Sequence, residues 1–174
     1  MELAEGVTRV GLILALALCA IAAPAAAQQA GPCQGVDLRG SFTVVRGSAG
    51  AGNIVYRLRL TNASSSACWV SGLPVVRLLD SKRRKLPTHV SAARPRQGAA
   101  AKVVLEPGRA GTADARFSPD VPGPGEQVTG RCEPVAHFLR VSASGGGTVV
   151  VPIRPPTAVC SHGALSFSLF RAAP

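Results

Sequence analysis

NIVYRLRLT, residues 53–61, alternates apolar and polar side chains with a period of two. Ile54, Tyr56, Leu58 and Leu60 fall on one face; Asn53, Arg57, Arg59 and Thr61 fall on the other, with Val55 the single exception. Successive side chains of a strand point to opposite sides of a sheet, so this segment is expected to be a half-buried antiparallel strand. The same period recurs in LSFSLF (165–170), where Leu165, Phe167 and Leu169 oppose Ser166 and Ser168. HFLRVSA (137–143) offers Leu139, Val141 and Ala143 on one face, and SFTVVRG (41–47) offers Phe42 and Val44. VVRLLD (75–80), KVVLE (102–106), GTADARF (111–117) and TVVVPI (148–153) are further strands.

Turn signals separate these runs: GSAGAGN, NASSS, DSKRRK, EPGRAG, SPDVPGPGEQ and SASGGG. Short strands punctuated by Gly, Pro and Ser about every ten residues predict a single all-β sandwich of roughly seven to nine strands. Ile54, Tyr56, Leu58, Leu60, Leu139, Val141, Leu165, Phe167 and Leu169 are the expected core. No window beyond residue 27 sustains a helical apolar period with caps, so little helix is expected. Residues 92–101 and 119–130 are the expected mobile loops, neither long enough to link two domains.

The first residues set the compartment. Arg9 precedes the apolar run GLILALALCAIAA, which is followed by small residues at Ala25 and Ala27. That order is the signature of a secretory signal peptide, here residues 1–27, and the run of 13 residues is short against the ~20 of a membrane span. Cys19 suggests lipidation, but Leu18 stands where a small residue is needed, so cleavage after Ala27 is expected. One domain, residues 28–174, then remains. Cleavage removes Arg9, Glu2 and Glu5, so 19 Lys and Arg and 9 acids become 18 and 7, and the formal charge rises from +10 to +11. Cys33, Cys68, Cys132 and Cys160 remain; an even count in an exported chain predicts two disulfides, with three connectivities open.

Residues 60–80, LTNASSSACWVSGLPVVRLLD, close one strand and open another. Asn62 and the serines are suited to bonding loose backbone groups and making the turn; Asn62-Ala63-Ser64 also matches a glycosylation sequon, but a turn Asn is the simpler assignment. Cys68 is then expected to clamp that turn to the sandwich, with Gly72 and Pro74 setting up the next strand.

The order Leu60-Thr61-Asn62-x-Ser64, Cys68, Gly72-x-Pro74 and Val76-x-Leu78-x-Asp80 resembles a family of exported or lipid-anchored bacterial proteins, the domain of unknown function numbered 4232. The resemblance continues through Cys33 with Asp37-Leu38, Leu105-x-Pro107-Gly108 followed by Ala110, Cys132 before Leu139-x-Val141, and Cys160 before the last strand. It covers about residues 33–170 and implies an immunoglobulin-like sandwich with two disulfides, but no activity. The chain departs from the pattern at Leu73, where an aromatic is common, and at the basic DSKRRK turn. Cys33–Cys68 and Cys132–Cys160 are the expected pairs, each joining segments that flank neighbouring strands.

Catalysis is not expected. Gly-x-Ser-x-Gly, His-Glu-x-x-His and phosphate-loop motifs are lacking, and GSAGAGN joins two strands with no following helix to hold an anion. His89, His137 and His162 lie in separate segments, none with a second ligand at metal spacing, so no metal or other cofactor is expected. Two features point to surface contacts. Lys82, Arg83, Arg84 and Lys85 form a basic tip expected at an exposed hairpin, with Arg94, Arg96 and Lys102 in the following loop. Trp69, the only tryptophan, faces outward as an anchor if the strand is extended, although a curled loop that lays it over the disulfide or sheet edge is the expected outcome. The function classes consistent with these features are a non-catalytic envelope-binding module, a structural or stress-related exported domain, and a small inhibitor of a secreted enzyme. Anionic envelope polymer, lipid headgroups or an envelope protein are the expected partners. Nucleic acid is not, since no aromatics are interleaved for base stacking.

Overall fold

The computed structural model describes residues 29–95 and 100–174. The expected signal peptide, residues 1–27, and Arg96 lie outside the described residues. The eight expected strands all form: β2 (Leu38–Val44), β3 (Ile54–Asn62), β5 (Val75–Leu79), β7 (Lys102–Leu105), β8 (Ala110–Phe117), β9 (Ala136–Ser142), β10 (Thr148–Thr157) and β11 (Ala164–Phe167). Four short ones join them: β1 (Gly31–Pro32), β4 (Cys68–Ser71), β6 (His89–Ala92) and β12 (Arg171–Ala172). Each is too short for its alternation to stand out from the flanking turn residues, which is why the strand count exceeds expectation.

β3 is paired along its length on both sides, with β2 (Leu38↔Asn62 to Val44↔Tyr56) and with β8 (Ile54↔Phe117 to Thr61↔Ala110). This register puts Tyr56, Leu58 and Leu60 in the core, each no more than 1% exposed, and turns Arg57 and Arg59 outward. Phe42, Tyr56, Phe117 and Phe167 form an aromatic row there, with ring centroids 5.2 Å apart for Phe42–Tyr56 and Tyr56–Phe117 and 6.1 Å for Phe42–Phe167. Of the expected core, Ile54 and Leu169 are only half-buried.

The larger sheet runs β5-β9-β10-β2-β3-β8-β11-β6, with β12 also on β8. β10 is where it folds over: Thr148–Pro152 pair with β9, then Ile153 and Arg154 run parallel to Phe42 and Thr43 of β2. The layers β5-β9-β10 and β2-β3-β8-β11-β6 then close on one core, with Leu139, Val141 and Val151 from the first meeting Phe42, Leu58 and Phe167 from the second. The Tyr56 hydroxyl donates to the Pro155 carbonyl at 3.0 Å, bonding one layer to the other. A smaller sheet, β1-β4-β7, adds Val70 and Leu105 to the same core. The architecture is the expected all-β sandwich with two disulfides, antiparallel except for the pairs β1–β4, β2–β10 and β6–β11.

Both disulfides have the expected partners. Cys33–Cys68 (Cα–Cα 4.8 Å, 35 residues apart) ties the residue that follows β1 to β4; Cys132–Cys160 (5.5 Å, 28 residues apart) ties the 118–135 loop to the turn before β11. Closing loops of this length restricts the unfolded chain by about 3.5–4 kcal/mol each.

Two side chains organise the turns. Asn62 is fully buried and uses its whole amide: Nδ2 donates to the Ser66 and Leu105 carbonyls (2.7 and 2.8 Å), and Oδ1 accepts from the Ser64 amide and hydroxyl (2.9 and 2.8 Å). The turn assignment for Asn62 therefore holds. Glu126 holds the other turn. Ser161 and His162 adopt left-handed backbone (φ 56° and 55°), rare for residues with a Cβ, and Gly163 follows at φ 79°, where a Cβ would collide with the Pro87 carbonyl. The amides of Ser161 and His162 converge on the Glu126 carboxylate, which also accepts from Gly123 (2.7 Å). Its burial opposes ionisation, but these three amides and His162 outweigh it and hold the Glu126 carboxyl down to about 2.

Asn62→Ala strips partners from the Ser66 and Leu105 carbonyls and the Ser64 amide, and is expected to lower stability by roughly 2–4 kcal/mol in denaturant unfolding. Glu126 contributes stability above the ordinary carboxyl value of 4.5 that is lost as pH falls towards about 2. Denaturation of the protein and of Glu126→Gln across that range is expected to show a stability gap at pH 7 that narrows steadily below pH 4.5. A gap independent of pH refutes this role.

Candidate functional site

The basic tip sits where β5 leaves the sheet. Asp80 bonds to the Arg84 carbonyl through its amide, Leu79 bridges Lys85, and Leu86 donates to Leu78, so the chain doubles back tightly. It does not continue as a hairpin; it crosses to the opposite layer, where β6 runs parallel to β11. Lys82, Arg83, Arg84 and Lys85 are all exposed, as expected. What holds them is Asp80, whose carboxylate accepts the Lys82 and Arg84 amides (2.8 Å each) and the Arg84 Nε (2.6 Å). Burial pushes the Asp80 carboxyl up, but the Arg84 amide and guanidinium and the Lys82 amide win and keep it below its ordinary value. Arg83 is left-handed (φ 60°), and its guanidinium lies 5.2 Å from the centre of the Phe138 ring on β9. Lys82 and Lys85 have no carboxylate partner among the described residues.

Register extends this tip into a face. β5 and β9 place Val75 opposite Ser142, Arg77 opposite Arg140 and Leu79 opposite Phe138. Val76, Leu78, Leu139 and Val141 alternate with these and point into the core, so Arg77 and Arg140 face each other on the outside. No Asp or Glu occurs in β5, β9 or β10. Like charges directly opposed across strands destabilise a sheet, and neither arginine has a carboxylate partner among the described residues. Each arginine alone reads as an ordinary outward residue of its strand; only the pairing of segments 63 residues apart (77 and 140) brings them together.

Trp69 is not where the curled-loop expectation put it. Its segment is extended as β4, with Cys68 and Val70 turned inward and Trp69 outward, half-buried. Trp69 pairs with Val104 on β7, and the Lys102 ammonium lies 4.6 Å from its ring centre. Lys102 is thereby committed to the small sheet rather than to the basic tip, and Arg94 lines a groove on the opposite layer.

The three histidines have different surroundings. His89 is exposed on β6 and His137 half-buried on β9, whereas His162 Nδ1 lies 3.3 Å from Glu133 and 3.6 Å from Glu126. Glu126, Glu133 and His162 are gathered closely enough to surround an ion, a juxtaposition that sequence spacing did not show. Glu126 already serves three backbone amides, and the neighbouring Cys132 and Cys160 are joined to each other rather than free as thiolates. The cluster's evident work is to fix the 118–135 loop. No helix among the described residues is long and apolar enough to cross a membrane.

Comparison with curated proteins and with solved structures gives no match. Residues 33–171 match the family model for a domain of unknown function, DUF4232, which spans the sandwich from the first disulfide cysteine to the last strand. The ordered cysteines, the Asn62 turn and the Gly72-x-Pro74 step all fall within that match, and the chain belongs to the DUF4232 family.

Proposed function

We propose that this protein is an exported, non-catalytic binding module of the cell envelope that lays the outer face of β5-β9-β10 and its basic tip against an anionic envelope polymer. The observation behind this is the Arg77–Arg140 opposition: two cations held face to face by register, with no acid in the three strands. An isolated sandwich gains nothing from that arrangement. A polyanion lying across it relieves the repulsion and adds Coulomb attraction, and the Debye length of ~8 Å at physiological salt makes the contact steeply salt-dependent. Support for export is the leader-like sequence of residues 1–27 together with four cysteines joined in pairs. Support for a non-catalytic role is that Cys33, Cys68, Cys132 and Cys160 are spent in disulfides and no nucleophile–base–orienter motif occurs in the sequence.

The test is retention on anionic cell-wall polymer at low and physiological salt. Arg84 also serves Asp80, so the tip variant replaces only Lys82, Arg83 and Lys85 with Ser, leaving the turn intact. Arg77→Ser/Arg140→Ser is expected to weaken binding roughly 30-fold at low salt, from about 1 kcal/mol per cation near an anionic surface. The same variant should be a few tenths of a kcal/mol more stable, because a repulsive cross-strand pair has gone. Unchanged retention of both variants at both salts rules out this face, and leaves the structural-domain and inhibitor classes.

A further inference from the structure

A second surface, on the opposite layer, has the form of a ligand site. β11 and β12 both pair with β8, but they are not one continuous strand. Phe167 opposes Ala115 and Arg171 opposes Thr112, four steps along one chain against three along the other. The extra residue is a β-bulge, and the segment Ser168–Phe170 swings out of the ladder there. Ser168 stays tied to Asp114, donating its amide to the Asp114 carbonyl and accepting the Asp114 amide on its hydroxyl (2.8 and 2.9 Å). The displacement therefore falls on Leu169 and Phe170, which explains why Leu169 is only half-buried despite its place in the alternation.

The bulge forms one wall of a groove of about 740 Å³. Its floor is the outer face of the sheet, including Val55, Arg116 and Ser166, and its other wall is Ala93, Arg94 and Ala101. Ligand pockets typically enclose roughly 300–1,000 Å³, mostly apolar with a few placed polar groups, and this groove fits that description. Its charge is one-sided. Asp114, the only acid lining it among the described residues, is saturated: Arg57 binds it in bidentate fashion (2.7 and 3.0 Å) and Arg171 adds a third bond (2.6 Å). These bonds, Arg57's foremost, hold its carboxyl below the ordinary range. Arg94 and Arg116 are exposed and have no carboxylate partner among the described residues. Ser166 stands opposite Arg116 in the β11–β8 register and lines the groove beside it.

We propose that this groove binds a single-chain amphiphile with one anionic headgroup, of the long-chain carboxylate class. The apolar chain lies against Val55, Ala93, Leu169 and Phe170. The headgroup is met by Arg94 and Arg116, with Ser166 as a neutral donor. Both halves are needed, because two exposed guanidinia alone bind a small anion weakly in water and an apolar wall alone does not orient it.

The probe is dodecanoate, titrated calorimetrically into the protein at physiological salt and below its micellar concentration. One dodecanoate per chain is expected, with hexanoate and inorganic phosphate at least tenfold weaker. Arg94→Ser/Arg116→Ser, two exposed positions whose loss leaves the fold intact by near-ultraviolet dichroism, is expected to weaken dodecanoate at least tenfold. Leu169→Asn weakens it as well, and the tip variant of Lys82, Arg83 and Lys85 leaves it unchanged, so this site and the polyanion face stand or fall separately. Absence of saturable one-to-one binding overturns the proposal. So does an Arg94→Ser/Arg116→Ser variant that binds as the parent does, or loss of binding in the tip variant.

Discussion

The two-sided pairing of β3 is the constraint on which the remaining structure depends. One strand fixes β2 on one side and β8 on the other, in a register that sends Tyr56, Leu58 and Leu60 inward and Arg57 and Arg59 outward. A slip of one residue would exchange those sets, burying two guanidinia and exposing a tyrosine and two leucines. Arg57 is not idle in this arrangement. It reaches across to Asp114 on β8, its register partner, and so the outer face carries a polar counterpart to the apolar pairing beneath. The fold over at β10 then needs only a short parallel contact with β2, since the aromatic row and the Tyr56–Pro155 bond already join the layers.

Where the sheets end, polar groups take over from apolar burial. Asn62 at the end of β3 and Glu126 beneath the 161–163 turn do the same job with different chemistry. Each supplies acceptors, and in the case of Asn62 donors, to backbone groups that lie outside any ladder. Each also sits near a disulfide, so a covalent clamp and a buried hydrogen-bond hub act on the same segment. A small domain with long irregular connections gains from this, because loops of this kind bury too little apolar surface to order themselves.

The two proposed contact surfaces use arginine in opposite ways. On β5-β9-β10, Arg77 and Arg140 are opposed with no acid between them, a surface that favours an extended anion. Beside the β11–β12 bulge, Arg57 and Arg171 are consumed by Asp114, which leaves Arg94 and Arg116 directed at a smaller, partly apolar space.

The sequence by itself determined the fold class, the inward face of β3, the disulfide count and the turn at Asn62. All of these follow from local alternation, residue type or cysteine parity, which are properties of contiguous stretches. The exposed basic tip was legible for the same reason, although the role of Asp80 in shaping it was not. Tertiary structure alone decided the opposition of Arg77 and Arg140, the convergence of Glu126 on the Ser161 and His162 amides, and the Ser168–Phe170 bulge that opens the groove. It also turned Trp69 outward beneath Lys102, against the expectation of a curled loop. The physical reason is common to all four: each depends on the register between segments distant in the chain, and register is set by the packing of the whole core rather than by any one strand.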